Sequence, residues 1–161
     1  MSKAFTNEET TLEVVVPPRA PLPPGVRNYV TPHGLELLRA ERRALEAERA
    51  VLERASEVER GAALAAWSAR LAELDRRLAS AELVALTQHD VVRFGSKVTV
   101  SDQAGEQRSF EIVGVDEADP PAGKIAFLSP LAKALLGREA GEVVTLRTPG
   151  GRQELEIVGV S

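Results

Sequence analysis

Apolar positions along this chain follow two periods in turn, a helical one and then an alternating one. From residue 31 to 86 the period is helical. Its second half places Leu64, Trp67, Leu71, Leu74, Leu78 and Ala81 at steps of 3, 4, 3, 4 and 3, the a/d seam of a coiled coil. The first half carries Leu38, Leu45 and Leu52 on one heptad stripe and Ala44, Val51 and Val58 on its neighbour. Pairing Leu52 with Trp67, Leu45 with Leu74 and Leu38 with Ala81 gives residue numbers that sum to 119 each time, as an antiparallel hairpin requires. That sum predicts a bend near Glu59-Arg60-Gly61, where Gly61 can adopt a left-handed helix end. Each arm is then roughly 25 to 28 residues, or about 40 Å. Arg42 and Arg49 fall on the seam of the first arm and are expected to snorkel outward.

Past the hairpin the period falls to two. Residues 97–100 and 109–113 alternate on either side of the turn Asp102-Gln103-Ala104-Gly105, which predicts a β-hairpin. A third strand is expected over 125–128. Ser129-Pro130 is a cap-plus-proline start for a helix over 131–136 that Gly137 ends. Strands over 143–147 and 154–158 flank the turn Pro149-Gly150-Gly151. The expected architecture is α+β: a coiled-coil hairpin over 31–86, a linker over 87–93, and a small C-terminal domain of five strands and one helix over 94–161. Ahead of it, residues 1–30 read as a disordered Pro-rich tail. Pro17-Pro18, Pro21, Pro23-Pro24 and Gly25 favour an extended backbone. Within that tail Pro18-Arg19-Ala20-Pro21 fits either a PxxP ligand or a plain spacer. Thr31 is placed to cap the first arm, with Pro32 at its first helical position.

Composition narrows the function. The chain has 161 residues, so one or two small domains are expected. With no cysteine it has neither disulfides nor thiolate metal sites, as suits a reducing cytoplasm. Its two histidines, His33 and His89, lie far apart in sequence, which argues against a His-rich metal site. No apolar run reaches the length of a membrane span, and residues 1–9 lack the pattern of a signal peptide. A net charge of −4 argues against a general nucleic-acid binder. Nor is any segment basic: residues 31–86 carry nine basic and ten acidic side chains, and 87–161 carry eight and eleven. A protein partner is the better expectation, bound by a cytoplasmic monomer.

Candidate chemistry is sparse. There is no Gly-rich phosphate loop, no supported Ser/His/Asp set and no metal-ligand spacing. Asp116, Glu117 and Asp119 beside Pro120-Pro121 form an acidic cluster, readable as a hard-cation site or as a solvated turn. Glu57 and Glu59, with Arg60, mark the hairpin tip. Two carboxylates there could hold Mg²⁺, but residues two apart on a helix do not share a face, so a solvated tip is the competing reading.

Ile112-Val113-Gly114-Val115-Asp116-Glu117, Ser129-Pro130-Leu131-Ala132-Lys133-Ala134-Leu135-Leu136-Gly137, Gly141-Glu142 and Thr148-Pro149-Gly150-Gly151 follow one another in that order. Together these blocks resemble the bacterial transcript cleavage factors of the GreA/GreB family. Leu71-Ala72-Glu73-Leu74-Asp75-Arg76-Arg77-Leu78 resembles the family's second coiled-coil arm. Ser2-Lys3-Ala4-Phe5-Thr6 and Asn28-Tyr29-Val30-Thr31-Pro32 are similar to the leader of its GreB-type branch. The resemblance implies an FKBP-like C-terminal domain that docks beside the secondary channel of RNA polymerase while the coiled coil enters the channel. Contact with the nascent RNA and DNA would be indirect. Ser129 and Pro130 match docking positions, and the preceding one, usually polar or acidic in the family, is here Leu128.

The tip departs from the family. Members that stimulate cleavage carry a Gly-Asp-x-x-Glu-Asn-Ala loop whose acids support the polymerase's second Mg²⁺. Here the bend reads Ala55-Ser56-Glu57-Val58-Glu59-Arg60-Gly61-Ala62, and the hairpin is short by about eight residues, or about 6 Å of reach. No catalytic residue carries over, no cofactor is implied, and the expectation is a polymerase-binding regulator that is not an enzyme. Three other readings stand beside it: a weak cleavage factor using Glu57 or Glu59, a coiled-coil interaction protein, and a prolyl isomerase. The last needs an aromatic-lined site, and residues 94–160 offer only Phe94, Phe110 and Phe127.

Overall fold

Two antiparallel helices make a rod, and a five-stranded sheet makes the domain at its base. The structure, a computed structural model, describes residues 19–87 and 89–161. The motif at residues 2–6 and the prolines at 17 and 18 fall outside these. Helix α1 runs Pro32–Leu52 and α2 runs Glu57–Ser80. Thr31 caps α1, its hydroxyl accepting from Gly34 N–H at 2.9 Å, and Pro32 sits at the start as its missing donor allows.

The seam is the predicted one, and it is thin. Leu38, Leu45 and Leu74 are buried, while Trp67, Leu71, Leu78 and Ala81 pack half-exposed against them. Inter-arm pairs confirm the antiparallel register: Arg42 Nε meets Asp75 Oδ1 at 2.7 Å, and Arg70 Nη1 meets Glu48 at 3.4 Å. Their residue numbers sum to 117 and 118, close to the predicted 119. Trp67 locks the arms together. Its Nε1–H donates to Leu45 O at 2.7 Å, and the Arg49 guanidinium lies 5.6 Å from the centre of its ring. Both seam arginines thus leave the apolar interface, Arg42 for carboxylates and Arg49 for an aromatic face.

The turn lies elsewhere than predicted. It spans residues 53–56, several positions before Gly61, which sits inside α2 in open space. Ser56 is the N-cap of α2, and its hydroxyl donates to Glu59 at 2.9 Å. A helix start beginning with Ser and carrying Glu three positions on outranks one glycine as punctuation. The arms are 21 and 24 residues, or about 32 and 36 Å, shorter than predicted. Val51 and Val58, on the second stripe, are 66% and 92% exposed, so that stripe makes no seam.

The sheet domain follows the sequence closely. Strands β3 (Lys97–Ser101), β4 (Gln107–Val113), β5 (Lys124–Ala126), β6 (Val143–Thr148) and β7 (Gly151–Val160) assemble in the order β5-β4-β3-β7-β6. All neighbours are antiparallel except β4 and β5. Helix α3 (Pro130–Leu135) packs Ala132 and Leu135 onto the face formed by Val98, Val100, Ile112, Ile125, Val144, Leu155 and Ile157. Rod followed by α+β domain is the predicted architecture.

A two-stranded parallel sheet is the feature no periodicity revealed. Strand β1 (Asn28–Val30) enters the rod and β2 (Ala81–Leu83) leaves it, paired Asn28 with Ala81 through Val30 with Leu83. Ordered structure therefore begins inside the stretch expected to be a tail. Here Gly114 has a clear function: a Cβ on it would lie 2.5 Å from Tyr29 O, so only glycine admits this approach of the two backbones.

Candidate functional site: tip, docking corner and joint

The tip residues do not converge. Glu57 and Glu59 both lie in the first turn of α2, where negative charge favours the helix N-terminus. Glu59 is engaged by Ser56, and Arg60 Nη2 donates to Ala55 O at 2.8 Å, closing the turn. These are the contacts of a helix start. Among the described residues no group of three His, Asp or Glu side chains is placed to hold a metal ion.

At the corner expected to dock, Leu128 and Ser129 are half-buried and Pro130 is exposed. The Ser129 hydroxyl accepts from Ala132 N–H at 3.2 Å, capping α3, so its position is fixed by the fold. Leu131, one residue on, lines a groove of about 190 Å³ with Val100, Phe110, Leu146 and Leu155. Charged and amide side chains rim that groove: Asp102, Glu106, Arg108 and Gln153. Phe110 is its one aromatic. Phe94 and Phe127 instead pack on Tyr29 at the joint, with ring centres 5.6–5.8 Å apart in all three pairs. Each such pair adds about 0.5–1.5 kcal/mol beyond the area it buries.

Two of the three acids in the cluster are taken up by partners within the protein. Asp116 and Glu117 turn into the joint between rod and sheet domain, with side chains 8% and 2% exposed. Asp116 Oδ1 receives Arg19 Nη1 at 2.6 Å, and its Oδ2 lies 3.5 Å from Nη1 of the buried Arg77 on α2. Glu117 Oε2 accepts from the Thr31 hydroxyl at 2.5 Å, and its Oε1 lies 3.4 Å from Lys124 Nζ. Asp119 alone stays exposed, its backbone bridged to Lys124. Arg19 also reaches Glu41 on α1 at 2.5 Å. Burial opposes the charge of Arg19, but the hydrogen bonds it donates to Glu41 and Asp116 outweigh that, holding its pKa above the ordinary arginine value.

Arg19, Thr31, Arg77, Asp116 and Glu117 thus form a site that sequence reasoning missed as a unit. Arg77 had one faint signal, a charge beside the seam residue Leu78. Arg19 had none, since its partners lie 22 and 97 residues away.

A family model described as "Transcription elongation factor, GreA/GreB, C-term" matches residues 87–161. The transcription elongation factor GreA of Anaeromyxobacter sp. (strain K) is 44% identical over 95 residues, covering 57% of this chain and 57% of that protein. GreA of Maricaulis maris (strain MCS10) is 42% identical over 95 residues, covering 57% and 60%. The chain thus spans 57–60% of the length of these curated relatives. Among solved structures, the GreA factor homolog 1 (Gfh1) protein of Thermus thermophilus aligns at 27% identity over 84% of this chain and 99% of that one, with a TM-score of 0.41. The sequence match lies in the sheet domain: residues 87–161 match the C-terminal model of the GreA/GreB transcription elongation factors, and the two GreA proteins are 42–44% identical to this chain over 95 residues.

Proposed function

We propose that this protein binds RNA polymerase as a GreA/GreB-type regulator, docks by its sheet domain, and extends its rod into the secondary channel without stimulating transcript cleavage. The observation that carries this reading is the tip. Of its carboxylates, Glu57 and Glu59 are two residues apart on one helical turn, Glu59 accepts from Ser56, and Glu53 in the turn itself pairs with Arg49 at 3.0 Å. Mg²⁺ demands oxygens at about 2.0–2.1 Å in near-octahedral order, which a pair facing different sides of a helix does not supply. The shortened arms support the same conclusion, since a rod of about 36 Å has less reach than the hairpin of a cleavage-stimulating relative.

Docking through Leu128, Ser129 and Pro130 fits a corner whose backbone is fixed by the α3 cap and whose exposed element is proline. Leu128 in place of a polar residue makes this corner more apolar, beside a groove under Leu131 that mixes apolar walls with a charged rim. The leader Ser2-Lys3-Ala4-Phe5-Thr6 supports placement in the GreB-type branch. We take the protein to act as a cytoplasmic monomer. No helix among the described residues is long and apolar enough to cross a membrane.

Nascent-RNA cleavage in stalled elongation complexes tests the reading. The protein and its Glu57→Ala/Glu59→Ala variant should both leave cleavage at the intrinsic rate. A rate raised by the parent and lost in the variant would instead establish a weak cleavage factor.

A further inference from the structure

We propose that Arg19 is a positioning residue: the stretch from Arg19 to β1 works as a strap that fixes the angle between the rod and the sheet domain. The strap makes contacts on three bodies at once. Arg19 Nη1 holds Asp116 of the sheet domain at 2.6 Å, and its Nη2 holds Glu41 of α1 at 2.5 Å. One residue on, Ala20 O accepts from Nη2 of Arg77 on α2 at 2.5 Å. A planar guanidinium binds two carboxylates in fixed relative directions, which a flexible ammonium would not do. Arg19 and Asp116 side chains are 14% and 8% exposed, so their bond is little screened by solvent, whereas Glu41 is 45% exposed.

Without the strap, Asp116 retains Arg77 at 3.5 Å, a separation that places Asp116 Oδ2 and Arg77 Nη1 among the buried atoms lacking a hydrogen bond. The Thr31–Glu117 bond and the Tyr29 ring cluster remain, but both lie close to the chain crossing and act there as a pivot. The strap grips farther out, at Glu41, nine residues into α1 beyond Pro32. Leverage makes small rotations matter at the far end. For a rod of about 36 Å, a tilt of roughly 10° moves the tip by about 6 Å. This inference concerns the molecule's own geometry and stands whether or not the polymerase reading holds.

The chain has no cysteine, so a pair of spin labels can be introduced cleanly by Ala62→Cys at the tip and Thr145→Cys on β6, both exposed. Electron-electron distance measurement on the full chain should give one narrow distribution. Adding Arg19→Ala should broaden it or shift its mean by about 6 Å, while far-ultraviolet circular dichroism stays unchanged. Glu41→Gln, a change at a side chain 45% exposed, should shift it in the same sense by less, and carries the test should Arg19→Ala fail to fold. A folded Arg19→Ala protein with the parent's distribution, or an unchanged Glu41→Gln distribution where Arg19→Ala does not fold, would overturn the assignment.

Discussion

The Thr31 hydroxyl donates to Glu117 Oε2 across 2.5 Å while accepting from Gly34 N–H, so the cap of the rod's first helix is held by the sheet domain. A helix cap that is also an interdomain bond should cost more to remove than either alone. Thr31→Ala should destabilise the protein by about 1–3 kcal/mol, from the lost cap and the unpaired Glu117 oxygen together. Thr31→Ser, which keeps both bonds, should cost far less. Urea titration of the three proteins checks this.

Two glycines in the rod should respond to the same substitution with opposite signs. Gly61 lies inside α2 with nothing within 4 Å of a Cβ, so Gly61→Ala should stabilise by about 0.5–1 kcal/mol through helix propensity. At Gly34 a Cβ would lie 2.6 Å from Glu117 Oε2, displacing that carboxylate from Thr31. Gly34→Ala should therefore destabilise by about 1–3 kcal/mol despite alanine's better propensity. Thermal melting should move up for one and down for the other.

Asp116 faces two arginines from two elements, and its side chain is 8% exposed. Asp116→Asn should destabilise by about 3–5 kcal/mol, because it leaves the buried guanidinium of Arg77 uncompensated. Combining it with Arg77→Met should cost less than the sum of the single changes, since the second removes the charge the first exposed. A double-mutant cycle from chemical denaturation measures that coupling.

Trp67 contributes geometry as well as area to the seam. Trp67→Phe keeps an aromatic ring but loses the 2.7 Å bond to Leu45 O and weakens the stack with Arg49. The expected loss is about 1–2 kcal/mol in equilibrium unfolding.

What the sequence disclosed and what it hid divide along contact range. The seam residues Leu38, Leu45 and Leu74 and the strands around Val98, Ile112 and Ile157 were legible because periodicity is local and burial enforces it. Ser129-Pro130 marked the start of α3 for the same reason. The bend falls before Gly61 because Ser56, the N-cap of α2, hydrogen-bonds Glu59 and starts the second helix earlier than the glycine suggests. The joint was illegible. Strands β1 and β2 are three residues each and pair in parallel across the whole rod, leaving no alternation to read. Asp116 and Glu117 looked like a solvated turn because their partners Arg19, Thr31 and Arg77 are remote in sequence. The groove beside Leu131 draws its walls from strands far apart in sequence, so only the folded sheet reveals it.

The central claim is that the rod can occupy the polymerase channel yet bring no metal-holding acids to its end. Competition for core RNA polymerase against a cleavage-competent Gre factor, scored for binding and transcript cleavage in the same reaction, tests it most directly. The account predicts that this protein displaces the competitor and that cleavage falls to the intrinsic rate as it does so. Displacement with cleavage sustained above that rate, or no displacement at all, would contradict it.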